Sequence, residues 1–133
     1  MVQYWAAHGL LVLGMAAMPY KDELLEVLRS KRADQIRIVA AEALVRLGGE
    51  DEALPYIMEN LASSPSVPVR IMAISSLACI GEFARPALSV IRDAKTDDKD
   101  YVRNAAIYPE AVLDGTFDPA MPIFKQAMAI KKD

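Results

Sequence analysis

Apolar and polar positions follow two interleaved helical patterns along this chain. The first is clearest in Ile36–Gly48, IRIVAAEALVRLG, where Ile36, Ala40, Ala43, Leu44 and Leu47 recur at spacings of three and four. That spacing puts them on one helical face. Ile38, Val39 and Val45 widen the face well past a stripe, so the helix must be covered on more than one side. Three other stretches copy it: VQYWAAHGLLVLG from Val2, VRIMAISSLACIG from Val69 and VRNAAIYPEAVLD from Val102. Their starts are 36−2 = 34, 69−36 = 33 and 102−69 = 33 residues apart. A fixed period in this range marks a stacked repeat protein. Gly14, Gly48 and Gly81 are read as helix stops, glycine being the usual residue just past a helix C-terminus.

A second pattern sits between the first. ALPYIMENL from Ala53, ALSVI from Ala87 and AMPIF from Ala120 are offset by 87−53 = 34 and 120−87 = 33 residues. Tyr20–Leu28 fits the same slot through Leu24, Leu25 and Leu28. In Ala53–Leu61 the apolar Leu54, Ile57, Met58 and Leu61 oppose Glu59 and Asn60, which predicts an amphipathic helix. Pro55 and Pro122 are placed in first turns, where no backbone N–H is needed. Asp118-Pro119 reads as an N-cap and first-position pair. The predicted unit is helix, short loop, helix, short loop, at about 2–31, 34–63, 66–96 and 99–131. The expected fold is all-α, a right-handed α-α superhelix of about four helix pairs in a single domain spanning 1–133. Pro109 is expected to kink the fourth copy or shift its phase.

Composition narrows function more than fold. The chain has 133 residues, 53% of them hydrophobic, with 15 basic and 18 acidic residues and a net charge of −3. That balance disfavours binding nucleic acid through a general basic surface. Cys79 is the single cysteine, so no internal disulfide forms; cytoplasm is the default location. The apolar run Ala6–Met18 has no Lys or Arg before it, which argues against a signal peptide. It is also broken by His8, Gly9 and Gly14 and stops at Pro19, short of the roughly 20 apolar residues a membrane helix needs.

Ile36-Arg37, Val69-Arg70 and Val102-Arg103, each followed by an Ala-rich turn and then Leu, form the recurring signature; Gln3 replaces the Arg in the first copy. This resembles the short HEAT-like repeat, the kind also found in phycobilin-lyase-type repeat proteins. The resemblance implies an α-α superhelix acting as a protein-interaction or scaffold module. The ankyrin T-P-L-H turn and the tetratricopeptide W-x2-L-G-x2-Y pattern are absent. The wording YWAAHGLLVLG, IRIVAAEALVRLG and VRIMAISSLACIG, with ARPAL at Ala84–Leu88, also resembles the helical C-terminal extension of certain bacterial sulfatases. That likeness implies an accessory domain, periplasmic or secreted, whose catalytic part lies outside this chain. The sulfatase motif Cys-x-Pro-x-Arg does not occur at Cys79, so no catalytic role carries over. A chaperone for a bilin chromophore is a third reading, and no His/Cys/Asp cluster supports it.

Candidate chemistry is sparse. Arg37, Arg70 and Arg103 could form a basic ladder for anions. The structural alternative, adopted here, pairs each with an acid or carbonyl of its own or the adjacent repeat: Asp34 for Arg37, Asp100 for Arg103, with Ser66 nearest Arg70. His8, aligned with Glu42 and Ser75, has no companions for a zinc set. Cys79 is expected to be buried and inert. Asp22-Glu23 is read as a helix start favoured by the macrodipole, and Asp97-Asp98 as a loop. No catalytic residue, cofactor or metal site is expected. Tyr4 and Trp5 stand out, because their equivalents are Ile38/Val39 and Ile71/Met72, expected to pack on a preceding repeat. This end is predicted to dock onto an upstream domain of the same polypeptide or a second copy. Lys21, Glu59, Asn60, Arg92, Lys125 and Gln126 are expected along the surface formed by the second helices.

Overall fold

The computed structural model describes residues 2–121. The chain runs through α1 (Val2–Leu13), α2 (Lys21–Arg29), α3 (Asp34–Arg46), α4 (Glu50–Ser63), α5 (Val67–Ile80), α6 (Leu88–Ala94) and α7 (Asp100–Leu113). No strand occurs among the described residues. The second helix of the fourth pair, from Ala120 on through Pro122, Lys125 and Gln126, lies outside the described residues or at their edge. Before it, Asp118 does accept a bond from the Ala120 N–H at 2.9 Å, as an N-cap should.

The odd-numbered helices form one layer, in which α1 packs on α3, α3 on α5 and α5 on α7. Each of α3, α5 and α7 also packs on the second helix of the pair before it, α2, α4 and α6 respectively. This arrangement explains the width of the apolar pattern in the central copy. Every residue from Ile38 to Val45 is buried. Ile38, Leu44, Ile57, Ile74, Leu77 and Ile91 are almost fully removed from water, each contributing about 1.5–3 kcal/mol. The alanines at 40, 41 and 73 let neighbouring helices approach without voids.

The helix stops hold. Gly14, Gly48 and Gly81 all have positive φ, between 57° and 77°, and Gly115 supplies a fourth. At Gly48, φ is 77°, and the turn closes with Gly49 N–H bonding Leu44 O at 2.8 Å. A side chain there would be strained in the left-handed region.

Two expectations are corrected. The links after Gly14 and Gly81 are not loops but 3₁₀ segments, Gly14–Tyr20 and Gly81–Ala87, leaving α6 only seven residues. Helix α4 begins at Glu50, before Ala53, because Glu50, Asp51 and Glu52 form its first turn, where acids complement the macrodipole. Pro55 therefore falls inside the helix, beyond its first turn. Helix α7 runs as one α-helix through a buried Pro109. The run Val67–Ala94 is apolar enough by composition to cross a membrane. It is divided at Gly81 by the 3₁₀ segment, and Ile74, Leu77 and Ile91 sit in the shared core.

Candidate functional site

Helix α1 carries no charged residue. Of its twelve residues, Ala7 alone is buried. Trp5 is 61% exposed, Tyr4 half-buried. Their rings meet edge to face at 5.4 Å, and His8 stacks on Tyr4 at 6.0 Å. Val2, Val12, Leu13 and Met15 extend the exposed apolar surface. The same repeat positions are closed one repeat later. Val39, equivalent to Trp5, is 4% exposed, and Ile38, equivalent to Tyr4, is fully buried. Leu13 is 54% exposed where Leu47 is 3%. The difference follows from packing: α3 has α1 and α2 against it, and neither kind of neighbour stands before α1 in the described residues.

Between α1, α3 and α5 lies a polar line that sequence alignment placed one residue off. Glu42 is buried and accepts a bond from Ser76 Oγ at 2.9 Å, whereas Ser75 is exposed. Burial pushes the Glu42 carboxyl above its ordinary pKa; Ser76 and the charges of Arg46 and His8 oppose that shift. The His8 Nδ1 is buried without a hydrogen bond. Cys79 is exposed, not buried as expected, at the α3-facing edge of α5 beside Glu42 and Arg46. Its pKa is nonetheless raised, first by local desolvation and then by Glu42. A raised thiol pKa lowers the thiolate fraction and hence reactivity.

The three arginines serve the scaffold. Arg37 Nε donates to Leu28 O at 2.8 Å, Arg70 to Ser64 O at 2.8 Å and Arg103 to Asp97 O at 2.5 Å. Each therefore caps the carbonyl end of the preceding second helix or its exit turn, where the helix dipole favours a cation. Asp34 and Asp100 pair with Arg37 and Arg103. Arg70 differs from expectation: its partners are Asp97, at 3.0 Å, and Asp98, at 3.1 Å, and not Ser66, which instead caps α5 by accepting from Val69 N–H. Asp97-Asp98 is thus an ion-pairing element.

On the second helices, Lys21 Nζ reaches Gly48 O at 3.4 Å and Arg92 pairs with Asp114 at 2.7 Å. Lys125 and Gln126 lie outside the described residues. Glu59 and Asn60 line a cavity with Asp34, Arg37 and Tyr56. Neither Asp34 nor Tyr56 was singled out for this by sequence, since they come from different helices and share no motif. Among the described residues no group of three or more His, Cys, Asp or Glu is placed to hold a metal.

Helix pairs stacked with a common period define an α-α superhelical repeat protein, a class built for contact surfaces. The chain belongs to the HEAT-repeat family, whose profile matches residues 22–108, more than half of its length. No curated protein and no solved structure matches it, and the likeness to a sulfatase extension gains no support from these comparisons.

Proposed function

We propose that this chain is a non-catalytic interaction module whose contact end is the outer face of α1, centred on Tyr4 and Trp5. The observation that carries this reading is the contrast between α1 and α3: similar apolar helices, one buried on every side and the other open. Exposed apolar patches of this kind mark contact surfaces. The occupant we assign is a second copy of the chain, meeting α1 with its own α1. Because α1 has no charged side chain, two copies can be brought face to face without like-charge repulsion, and the aromatic rings supply the contact area that dominates such interfaces.

Sedimentation velocity of the 133-residue chain tests it. The wild type should show a dimer whose population falls on dilution, and Trp5→Glu should shift it to monomer with unchanged circular dichroism. A wild type that stays monomeric at high concentration, or a Trp5→Glu variant that associates as before, overturns the assignment. The monomeric outcome would move weight to the alternative, in which the same face seats on the catalytic domain of a sulfatase.

A further inference from the structure

A cavity of about 330 Å³ opens between the start of α3 and the C-terminal half of α4. It lies away from α1, so nothing about it depends on the contact end. Its lining is polar, and its hydrogen-bonding groups are used unequally. The tyrosine, asparagine and serine donors are committed within the protein, whereas the outer nitrogens of Arg37 make no hydrogen bond and face Asp34. Tyr56 O–H donates to Asp34 Oδ1 at 2.7 Å. Asn60 Nδ2 donates to Tyr56 O at 2.9 Å, which also fixes the orientation of the amide. Ser63 Oγ donates to Glu59 O at 2.9 Å. Arg37 gives its Nε to Leu28 O, rests 4.3 Å over the Tyr56 ring and lies 3.7 Å from Asp34.

The acceptors are left over. Asp34 Oδ2, the Glu59 carboxylate and Asn60 Oδ1 make no hydrogen bond among the described residues, and of the two carboxylates only that of Asp34 is ion-paired, with Arg37. Tyr56 is held neutral: burial, then the bond to Asp34, pushes its pKa up to about 12. Two carboxylates against one guanidinium leave the lining net negative. An anion would meet repulsion from Asp34 and Glu59, with only the outer nitrogens of Arg37 to receive it. A neutral amide would leave charged oxygens unmatched. The complementary group is a cation that donates several hydrogen bonds and accepts none. The leftover acceptors come from two helices and face a common space, which suits the planar fork of a guanidinium with its five donors better than a compact ammonium. The volume exceeds what a guanidinium needs and leaves room for its methylene stem.

We propose that this cavity receives the guanidinium of an arginine presented by an extended peptide segment of a partner protein, held by Asp34, Glu59 and Asn60. Glu59 stands on the exposed rim and steers the incoming side chain; Asp34, fixed by Tyr56, supplies the inner carboxylate oxygen. Arg37 forms the floor on the side of Leu28 and keeps Tyr56 in place.

The test is a titration of the ¹⁵N-labelled full chain with a capped Gly-Gly-Arg-Gly-Gly peptide, followed by amide and Asn side-chain shifts. Two control peptides carry citrulline, the neutral isostere, or lysine. The arginine peptide should shift the Asn60 side-chain amide together with backbone amides near 34–37 and 56–64, with weaker effects from lysine and none from citrulline. Glu59→Gln should raise Kd about two- to fivefold, the range expected for losing one exposed ion pair. Asp51→Asn, an exposed acid at the other end of α4, should leave Kd unchanged. Equal shifts from citrulline or lysine, shifts spread over other acidic sites, no response to Glu59→Gln, or the same residues moving instead with inorganic phosphate would each overturn the proposal. Glu59 makes no side-chain bond that the fold requires, so its variant keeps the test decisive.

Discussion

Arg70 ties two repeats together, and removing its charge tests how the stack is held. Its side chain is 11% exposed and that of Asp97 is 13% exposed. One Nη bonds Ser64 O at 2.8 Å, and the other reaches Asp97 at 3.1 Å. Nε lies 3.0 Å from the second Asp97 oxygen but off the hydrogen-bonding line, so that contact is one of charge alone. Arg70→Met keeps the packing of the stem, removes the charged partner of a nearly buried carboxylate, which then retains only the Lys99 N–H at 2.9 Å, and leaves the Ser64 carbonyl without the arginine. Losing one partner of such a pair costs about 3 kcal/mol, toward the lower end for buried pairs because slight exposure admits water. With roughly 2.1 cal/mol/K of unfolding entropy per residue over 133 residues, about 0.28 kcal/mol/K, Tm should fall by about 10 °C. Asp97→Asn leaves Arg70 with Ser64 O and Asp98, and should cost less. Denaturant unfolding of both singles and the double variant closes a cycle, in which the double should be less destabilised than the sum of the singles by about 1–2 kcal/mol. Arg103→Met provides the contrast, since Asp100 is 77% exposed; the pair itself contributes ~0–1 kcal/mol. An Arg70→Met loss below about 1 kcal/mol, or strict additivity in the cycle, refutes the reasoning.

Two further outcomes follow from positions that look alike or unremarkable in the sequence. Leu47→Ala should cost about 2–5 kcal/mol in urea unfolding, while Leu13→Ala, at the same repeat position but 54% exposed, should cost under about 0.5 kcal/mol in the monomer; equal costs would mean α1 is packed as α3 is. Glu42→Gln keeps an oxygen for Ser76 and removes the buried charge. Because the native carboxyl holds its proton more tightly than the unfolded chain does, wild-type stability falls as pH rises from the unfolded Glu value of about 4.3 through the raised native one. The variant should match or exceed wild type in thermal melts at pH 7.5, with the gap closing toward pH 4; a variant clearly less stable at pH 7.5 would show that His8 and Arg46 outweigh burial.

The repeat was legible because it rests on features that sequence carries locally. A 33–34-residue period, a glycine closing the first helix in three of the copies and an all-round apolar run at Ile38–Val45 leave few alternatives to a stack. Element bounds were less legible. Nothing in GMAAMPY or GEFARPA distinguishes a 3₁₀ link from a loop, since both need a positive-φ glycine and small residues. The Pro55 placement failed because the preceding acids extend α4 backwards, an effect of charge that the apolar pattern does not record.

Side-chain partners divided along the same line. Asp34–Arg37 and Asp100–Arg103 lie within one turn and could be read directly. The partner of Arg70 is 27 residues away, just under one repeat, and depends on how adjacent units superpose. The cavity is less visible still, because Asp34 and Tyr56 are 22 residues apart and neither belongs to the repeated signature. Repetition explains this division physically. Positions that recur are those that every unit needs for burial, so they describe the scaffold. Positions that differ between copies are free of that demand. Trp5 stands where other copies have an aliphatic side chain, and Tyr56 has no aromatic counterpart in the aligned ALSVI stretch. In a stacked repeat, binding chemistry should therefore be sought where one copy departs from the others, and each of the two proposed surfaces includes such a departure, Trp5 in one and Tyr56 in the other.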